Sequence, residues 1–255
     1  MIPNRESDAA RSNDALRIER PQEGEGNVAW WRRVGGPSGV LLLGGTSLVD
    51  FRVRVAQSGL RNDLTPSYWS SCGVLATDGT VLTVPLQPDD VSDVPRTNAV
   101  RYMSIEGMDD PLWWPNIAVL RFSTDDQAIL AQASSLADRR TVIDLPELLL
   151  AWLAYVWGAA DAANPLLHSK GVPSAALVAA AHALVGIEVT PGLSSAASCP
   201  EAIWQAVKWW HEYYAETEQL GGGQPGRVVP TGICGVRQQS AAILLPDDPR
   251  LNVTP

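Results

Sequence analysis

The apolar segments of this chain change character near residue 125, and that change narrows the folds open to it. Before it they are short and strand-like. Gly39 to Gly44, GVLLLG, is an unbroken apolar run closed by glycines, which suits a buried strand. Cys72 to Ala76 and Thr80 to Leu86 flank Thr77-Asp78-Gly79. Asp-Gly between apolar runs predicts a hairpin, because glycine accepts the positive φ that the turn needs. Asn116 to Phe122, NIAVLRF, reads as another buried strand. Phe51 to Gln57, FRVRVAQ, alternates apolar and polar residues, so its period is that of a strand, with a helix as the alternative. After the change the segments are helix-like: Asp125 to Ala137, Leu145 to Ala160 with Pro146 in the first turn, Ser174 to Val185 ended by Gly186, and Cys199 to Glu216. Ser198 and Glu201 have the S-x-x-E spacing of a capping box at the last of these. Ala241 to Leu245 is one further candidate strand. Strands first and helices later predict an α+β fold, an antiparallel sheet packed against helices, rather than alternating βαβ units.

Composition sets the outer limits. Of 255 residues, 45% are hydrophobic, enough for a sizeable core, and the formal net charge is -9. That charge opposes nucleic-acid binding and docking on an anionic membrane, both of which need a basic face. The longest apolar stretch, Leu145 to Ala163, is broken by Pro146, Glu147, Gly158 and Asp161, so no transmembrane segment is expected. Met1 to Asn27 has no apolar signal region, and Cys72, Cys199 and Cys234 form neither a disulfide framework nor a zinc pattern. A reduced, cytoplasmic setting is the expectation, with export by a specialised secretion machine left open. Residues 1–26 are expected to form a disordered arm, 27–220 the folded domain, and 221–255 a break at GGGQPG followed by a tail.

Two stretches carry a family resemblance. From Gly39 to Leu86 the order is strand, a segment containing Phe51 to Gln57, then Tyr68-Trp69-Ser70-Ser71-Cys72-Gly73-Val74-Leu75. From Gly171 to Ser195 it is Pro173-Ser174-Ala175-Ala176-Leu177-Val178, then Gly186-Ile187 and Thr190-Pro191. Together they resemble the circularly permuted branch of the NlpC/P60 papain-like hydrolases. In that family a Trp-Ser-His strand comes first and a cysteine opening a helix comes last. The resemblance implies a papain-like fold, with Ser174 at the nucleophile position, Ser71 at the histidine position, and Thr83 near the residue that orients the imidazole.

The departures from the family pattern change the expected chemistry. The family cysteine is held as a thiolate at a helix N-terminus and works with a strand-borne base. A serine needs an adjacent base, and Ser71 cannot supply one. Losing both members of a unit removes most of its rate. The expectation is therefore a catalytically degenerate protein, a pseudoenzyme, whose cleft binds a peptide, an acyl group or a protein partner. The alternative is an active amide or thioester hydrolase or acyltransferase using Ser174, Cys72 or Cys199. No cofactor is implied.

The remaining candidates have simpler readings beside the functional one. Cys72 is either a small core residue or a displaced nucleophile, and strand alternation sets it opposite Ser71. Cys199 is either a reactive thiol in a first helical turn or a neighbour of the cap. His182, eight residues after Ser174 on one helix, is too far along the axis to bond it. His168 sits in a loop from which it could fold back towards Ser174, and His211 lies on a helix face. The ten tryptophans either pack the core or line an apolar groove, with Trp69 beside the site and Trp113-Trp114 as a rim. Asp89-Asp90 and Asp109-Asp110 lack metal-ligand spacing. No phosphate-binding glycine motif is present.

Overall fold

The structure, a computed structural model, describes residues 22, 24–86, 98–122, 125–138, 144–219 and 233–237. Its strands are β1 (Gly39–Gly44), β2 (Ser71–Leu75), β3 (Thr80–Thr83), β4 (Arg101–Ser104), β5 (Asn116–Leu120) and β6 (Ile233–Arg237). Its α-helices are α1 (Asn27–Arg33), α2 (Leu48–Ala56), α3 (Asp126–Asp138), α4 (Leu145–Val156), α5 (Pro173–Ala183) and α6 (Pro200–Gln219). The strands form one antiparallel sheet in the order β4-β3-β2-β1-β5-β6. The class is α+β.

Both faces of the sheet are covered, and strand alternation sorts the side chains between them. Val40, Leu42, Cys72, Val74, Leu82, Ala118 and Leu120 join a large core that includes residues of α2 to α6. Leu41, Leu43, Leu75, Val81, Ile117 and Val119 join a smaller core closed by Val28, Trp30 and Trp31 of α1 and by Ile105 and Met108. That double cover is why every residue of β1 is buried. The β2–β3 hairpin turns at Asp78-Gly79, where Gly79 has φ 85° and the Asp78 carboxylate accepts the Thr80 N–H at 2.8 Å.

Several elements differ from their sequence reading. FRVRVAQ belongs to a helix. Ser47 caps it, its hydroxyl accepting the Asp50 N–H at 3.1 Å, and Val49, Val53 and Ala56 bury one face. Helix periodicity in the packing overrides the short alternation in composition. The capping box at α6 does not form. Glu201 gives its N–H to Gln57 Oε1 at 2.8 Å, and its carboxylate accepts the Ser67 hydroxyl at 2.6 Å. Those long-range bonds fix α6 against α2 instead. α1, seven residues, and β4, four residues, are too short to show a period in sequence. Ala241 to Leu245 and residues 1–21 lie outside the described residues. The domain boundary at 220 also leaves out β6, which pairs with β5. Among the described residues no helix is long and apolar enough to cross a membrane.

Glycine is required where β1 ends. A Cβ on Gly44 would run into the Tyr68 carbonyl oxygen and the side chain of Asn116. Gly44→Ala should therefore cost about 3 kcal/mol of unfolding free energy, in the range of strained core substitutions. Urea denaturation monitored by circular dichroism checks this. An unchanged midpoint would show that the strand end yields without cost.

Candidate functional site

One end of the sheet gathers the residues that the sequence singles out. β1 finishes there, with Leu43 paired to Ser71 at the start of β2. β3 also finishes there, with Thr83 paired to Arg101 of β4. α5 starts at the same end. Its placement begins with Gly171, whose N–H bonds the Ala196 carbonyl at 2.7 Å, and Val172, whose N–H bonds the Ser198 carbonyl at 2.9 Å. The Trp152 indole N–H donates to the Gly171 carbonyl at 2.7 Å. A Cβ at Gly171 would collide with the Ser198 carbonyl. With the chain clamped on both sides, Pro173 opens the helix and the next residue, Ser174, is held against β2.

Ser71, Thr83 and Ser174 line one cavity of about 290 Å³ at this sheet end. Ser71 is half-buried, whereas Thr83 and Ser174 are buried. The Ser174 hydroxyl accepts the Cys72 N–H at 3.3 Å, and the Cys72 thiol approaches it at 3.8 Å. The Thr83 hydroxyl donates to the Cys72 carbonyl at 2.6 Å. A proton committed to a backbone carbonyl is not available to orient a catalytic partner. The side chain bonded to Ser174 is thus that of Cys72, not Ser71, because alternation along β2 turns Cys72 towards the helices.

Two expected binding residues are corrected. Trp69 does not wall the cavity. It is fully buried on the helix side of the sheet, where its ring meets that of Trp204 edge-on at 5.3 Å between centroids. Cys72 is also fully buried and stays behind the cavity wall, in the large core. Burial pushes its thiol far above the ordinary value. Cys199 is buried as well, just ahead of α6, and burial pushes its thiol up to about 12. Desolvation outweighs the favour that a helix start gives to a thiolate. Neither sulfur is a ready nucleophile.

No described histidine reaches the site. His182 is buried two turns along α5, with Nδ1 2.8 Å from the Val178 carbonyl oxygen. Its imidazole is held below the ordinary value, chiefly by burial. His168 is exposed in a 3-10 turn, Pro165–His168. The side chain of His211 lies outside the described ones. Asp109 is structural, its carboxylate accepting the Val28 N–H at 2.7 Å at the start of α1. Asp89 and Asp90 lie outside the described residues.

The group that the sequence reading missed is Asp50. It lines the cavity and accepts hydroxyl protons from Ser47 at 2.5 Å and Ser70 at 2.7 Å. Burial raises its carboxyl above the ordinary value, and this outweighs the two hydroxyls and the Arg54 charge, which pull the other way. Arg54 itself is fully buried and donates to the carbonyls of Ser67 at 2.6 Å and Gly45 at 3.3 Å. The lining also carries Met103, Met108, Trp113 and Trp114. Two long-range anchors hold this part of it in place. The Asn27 amide donates to the carbonyls of Met108 at 2.7 Å and Trp114 at 2.9 Å, and the Thr46 N–H bonds the Trp113 carbonyl at 3.0 Å. The Trp113-Trp114 rim was legible in sequence. The acid was not, because Ser47-x-x-Asp50 also has the spacing of an ordinary helix cap. A larger surface groove of about 440 Å³, with Leu60, Leu193 and Trp209 among its walls, has no ionisable side chain among the described residues that line it.

No known protein family, curated protein or solved structure matches the chain.

Two outcomes follow from this geometry. Ser174→Ala should cost about 1–2 kcal/mol, since it leaves the buried Cys72 N–H without that acceptor. Urea titration of both proteins measures it, and an unchanged stability would mean the contact contributes nothing. The second concerns acid. Because its carboxyl is raised from an ordinary 3.8, Asp50 holds its proton more tightly folded than unfolded. Its contribution is fully present below about pH 3.8 and is lost as pH rises through the folded value. Relative to Asp50→Asn, the wild type should lose stability over that interval. The opposite slope, in denaturation curves collected from pH 3.5 to pH 8, would show that the carboxylate form is the one the fold prefers.

Proposed function

We propose that this chain is a catalytically degenerate member of the permuted papain-like group, and that its cavity serves as a binding cleft for a peptide, an acyl group or a protein partner. The observation that carries the reading is the meeting of Ser71, Thr83 and Ser174 on one cavity. In the resemblance these are the positions of base, orienting residue and nucleophile. The chain order fits a permuted arrangement, with the strand of Ser71 ahead of the helix of Ser174.

The chemistry at those positions argues for binding. A serine attacks a carbonyl only when a base takes its proton. Ser174 instead accepts hydrogen bonds from Cys72, and the positions of base and orienting residue carry the hydroxyls of Ser71 and Thr83. Meanwhile the cavity keeps a size and a mostly apolar lining that suit small ligands.

The reading is tested by putting the missing pair back. In a Cys72→Ala background, which removes the thiol beside position 174, Ser71→His with Ser174→Cys should create a sulfur that iodoacetamide alkylates faster than free cysteine at neutral pH. Ser174→Cys alone should not. The wild type should leave Ser174 unmodified by a fluorophosphonate. Equal alkylation rates with and without Ser71→His would break the proposed correspondence. Fluorophosphonate labelling of Ser174 would show an active serine enzyme.

A further inference from the structure

We propose that the cavity binds a compact amphiphilic amine, its ammonium group seated at Asp50 and the neighbouring hydroxyls, its apolar body against Trp113, Trp114 and the two methionines. This rests on reading the cavity as a binding cleft and adds the chemical class of its occupant.

Charge makes the first selection. Asp50 is the one ionisable side chain among the described residues that line the cavity. An anionic ligand would meet a carboxyl and hydroxyls, with no lysine, arginine or histidine in that lining to receive it. Arg54 lies behind Asp50, is itself fully buried and does not line the space.

Hydrogen-bond direction points the same way. Ser47 and Ser70 both give their protons to Asp50, and Thr83 gives its proton to the Cys72 carbonyl. Each hydroxyl has one proton and two lone pairs. With those three protons spent inside the protein, the donors left on the cavity are the hydroxyls of Ser71 and Ser174, and the carboxyl of Asp50 is its strongest acceptor. An ammonium group has three donors and no acceptor, so it complements such a floor. A carboxylate instead sets like charge against that carboxyl.

The aromatic part of the lining completes the selection. Indole faces attract cations, and Trp113 and Trp114 stand on the same cavity as Asp50. Their loop is tied to the chain just before α2 by the Thr46–Trp113 bond, which keeps ring and carboxyl on a common frame. A volume of about 290 Å³ holds roughly ten non-hydrogen atoms at about 30 Å³ each. That is the size of a short alkyl- or arylalkylamine, or of a lysine side chain.

Isothermal titration of the full chain at pH 7.5 with hexylamine, hexanol and hexanoate tests the proposal. Hexylamine should bind at least about tenfold more tightly than hexanol, and hexanoate should not bind measurably. Asp50→Asn should erase the preference of amine over alcohol. Trp113→Leu changes an exposed residue and spares the core, so it keeps the test open if Asp50→Asn fails to fold. It should weaken hexylamine roughly three- to thirtyfold, with a smaller effect on hexanol. Hexanol binding as tightly as hexylamine, or hexanoate binding best, would overturn the amine assignment and leave the cleft reading standing. No heat from any of the three at millimolar concentration would overturn both.

Discussion

The structure depends on a helix that is enclosed on every side. Each residue of α5 from Pro173 to His182 is buried. A helix so enclosed cannot present an amphipathic face, and its sequence shows none: PSAALVAAAHA is small and apolar around the whole circumference. Small side chains let α4, α3 and β2 approach its backbone closely. Volume changes there are felt directly, since protein interiors are packed as densely as organic crystals. The backbone bonds of Gly171 and Val172 then set where the helix starts. The position of Ser174 is thus decided by packing and by chain entry, before any question of chemistry arises.

That separation makes the seating of position 174 independent of the chemistry placed there. The clamp that seats Ser174 consists of backbone carbonyls, an indole N–H and a glycine without a Cβ. None of these depends on whether position 174 carries sulfur or oxygen. Catalysis by a serine depends on a base within hydrogen-bond reach, and the cavity lining supplies no imidazole. Scaffold and chemistry rest on different residues, so one can be lost while the other stays. Desolvation works against ionisation of the buried thiols of Cys72 and Cys199.

The sequence was informative where one period dominates a segment. GVLLLG suited a buried strand and is one, and the Asp-Gly turn set the hairpin that brings Thr83 back beside β2. It was uninformative where two readings share a pattern. FRVRVAQ has the alternation of a strand, yet Val49, Val53 and Ala56 at helical spacing are what the core receives. Ser198 and Glu201 have capping-box spacing, yet Gln57 and Ser67, more than a hundred residues away, take the bonds. At the site, alternation correctly set Ser71 and Cys72 on opposite faces. Which face receives Ser174 is decided by tertiary packing, and local spacing carries no record of that. Trp69 likewise stands beside the site in sequence, but side-chain direction carries it into the core against Trp204.

Asp50 is the sharpest case of one pattern with two consequences. As the third residue of α2 it does what a helix start favours, exchanging hydrogen bonds with Ser47. An exposed aspartate would do this at no desolvation cost. Here the carboxyl is instead drawn inward, takes the Ser70 proton and borders a cavity, and burial raises it. Capping alone gives no reason to bear that cost, because a serine cap without an acid would serve nearly as well. Holding the floor's protons inward does give one. By accepting from Ser47 and Ser70 at once, Asp50 turns two groups that could either donate or accept into acceptors, and so gives the cavity a direction that hydroxyls alone would lack.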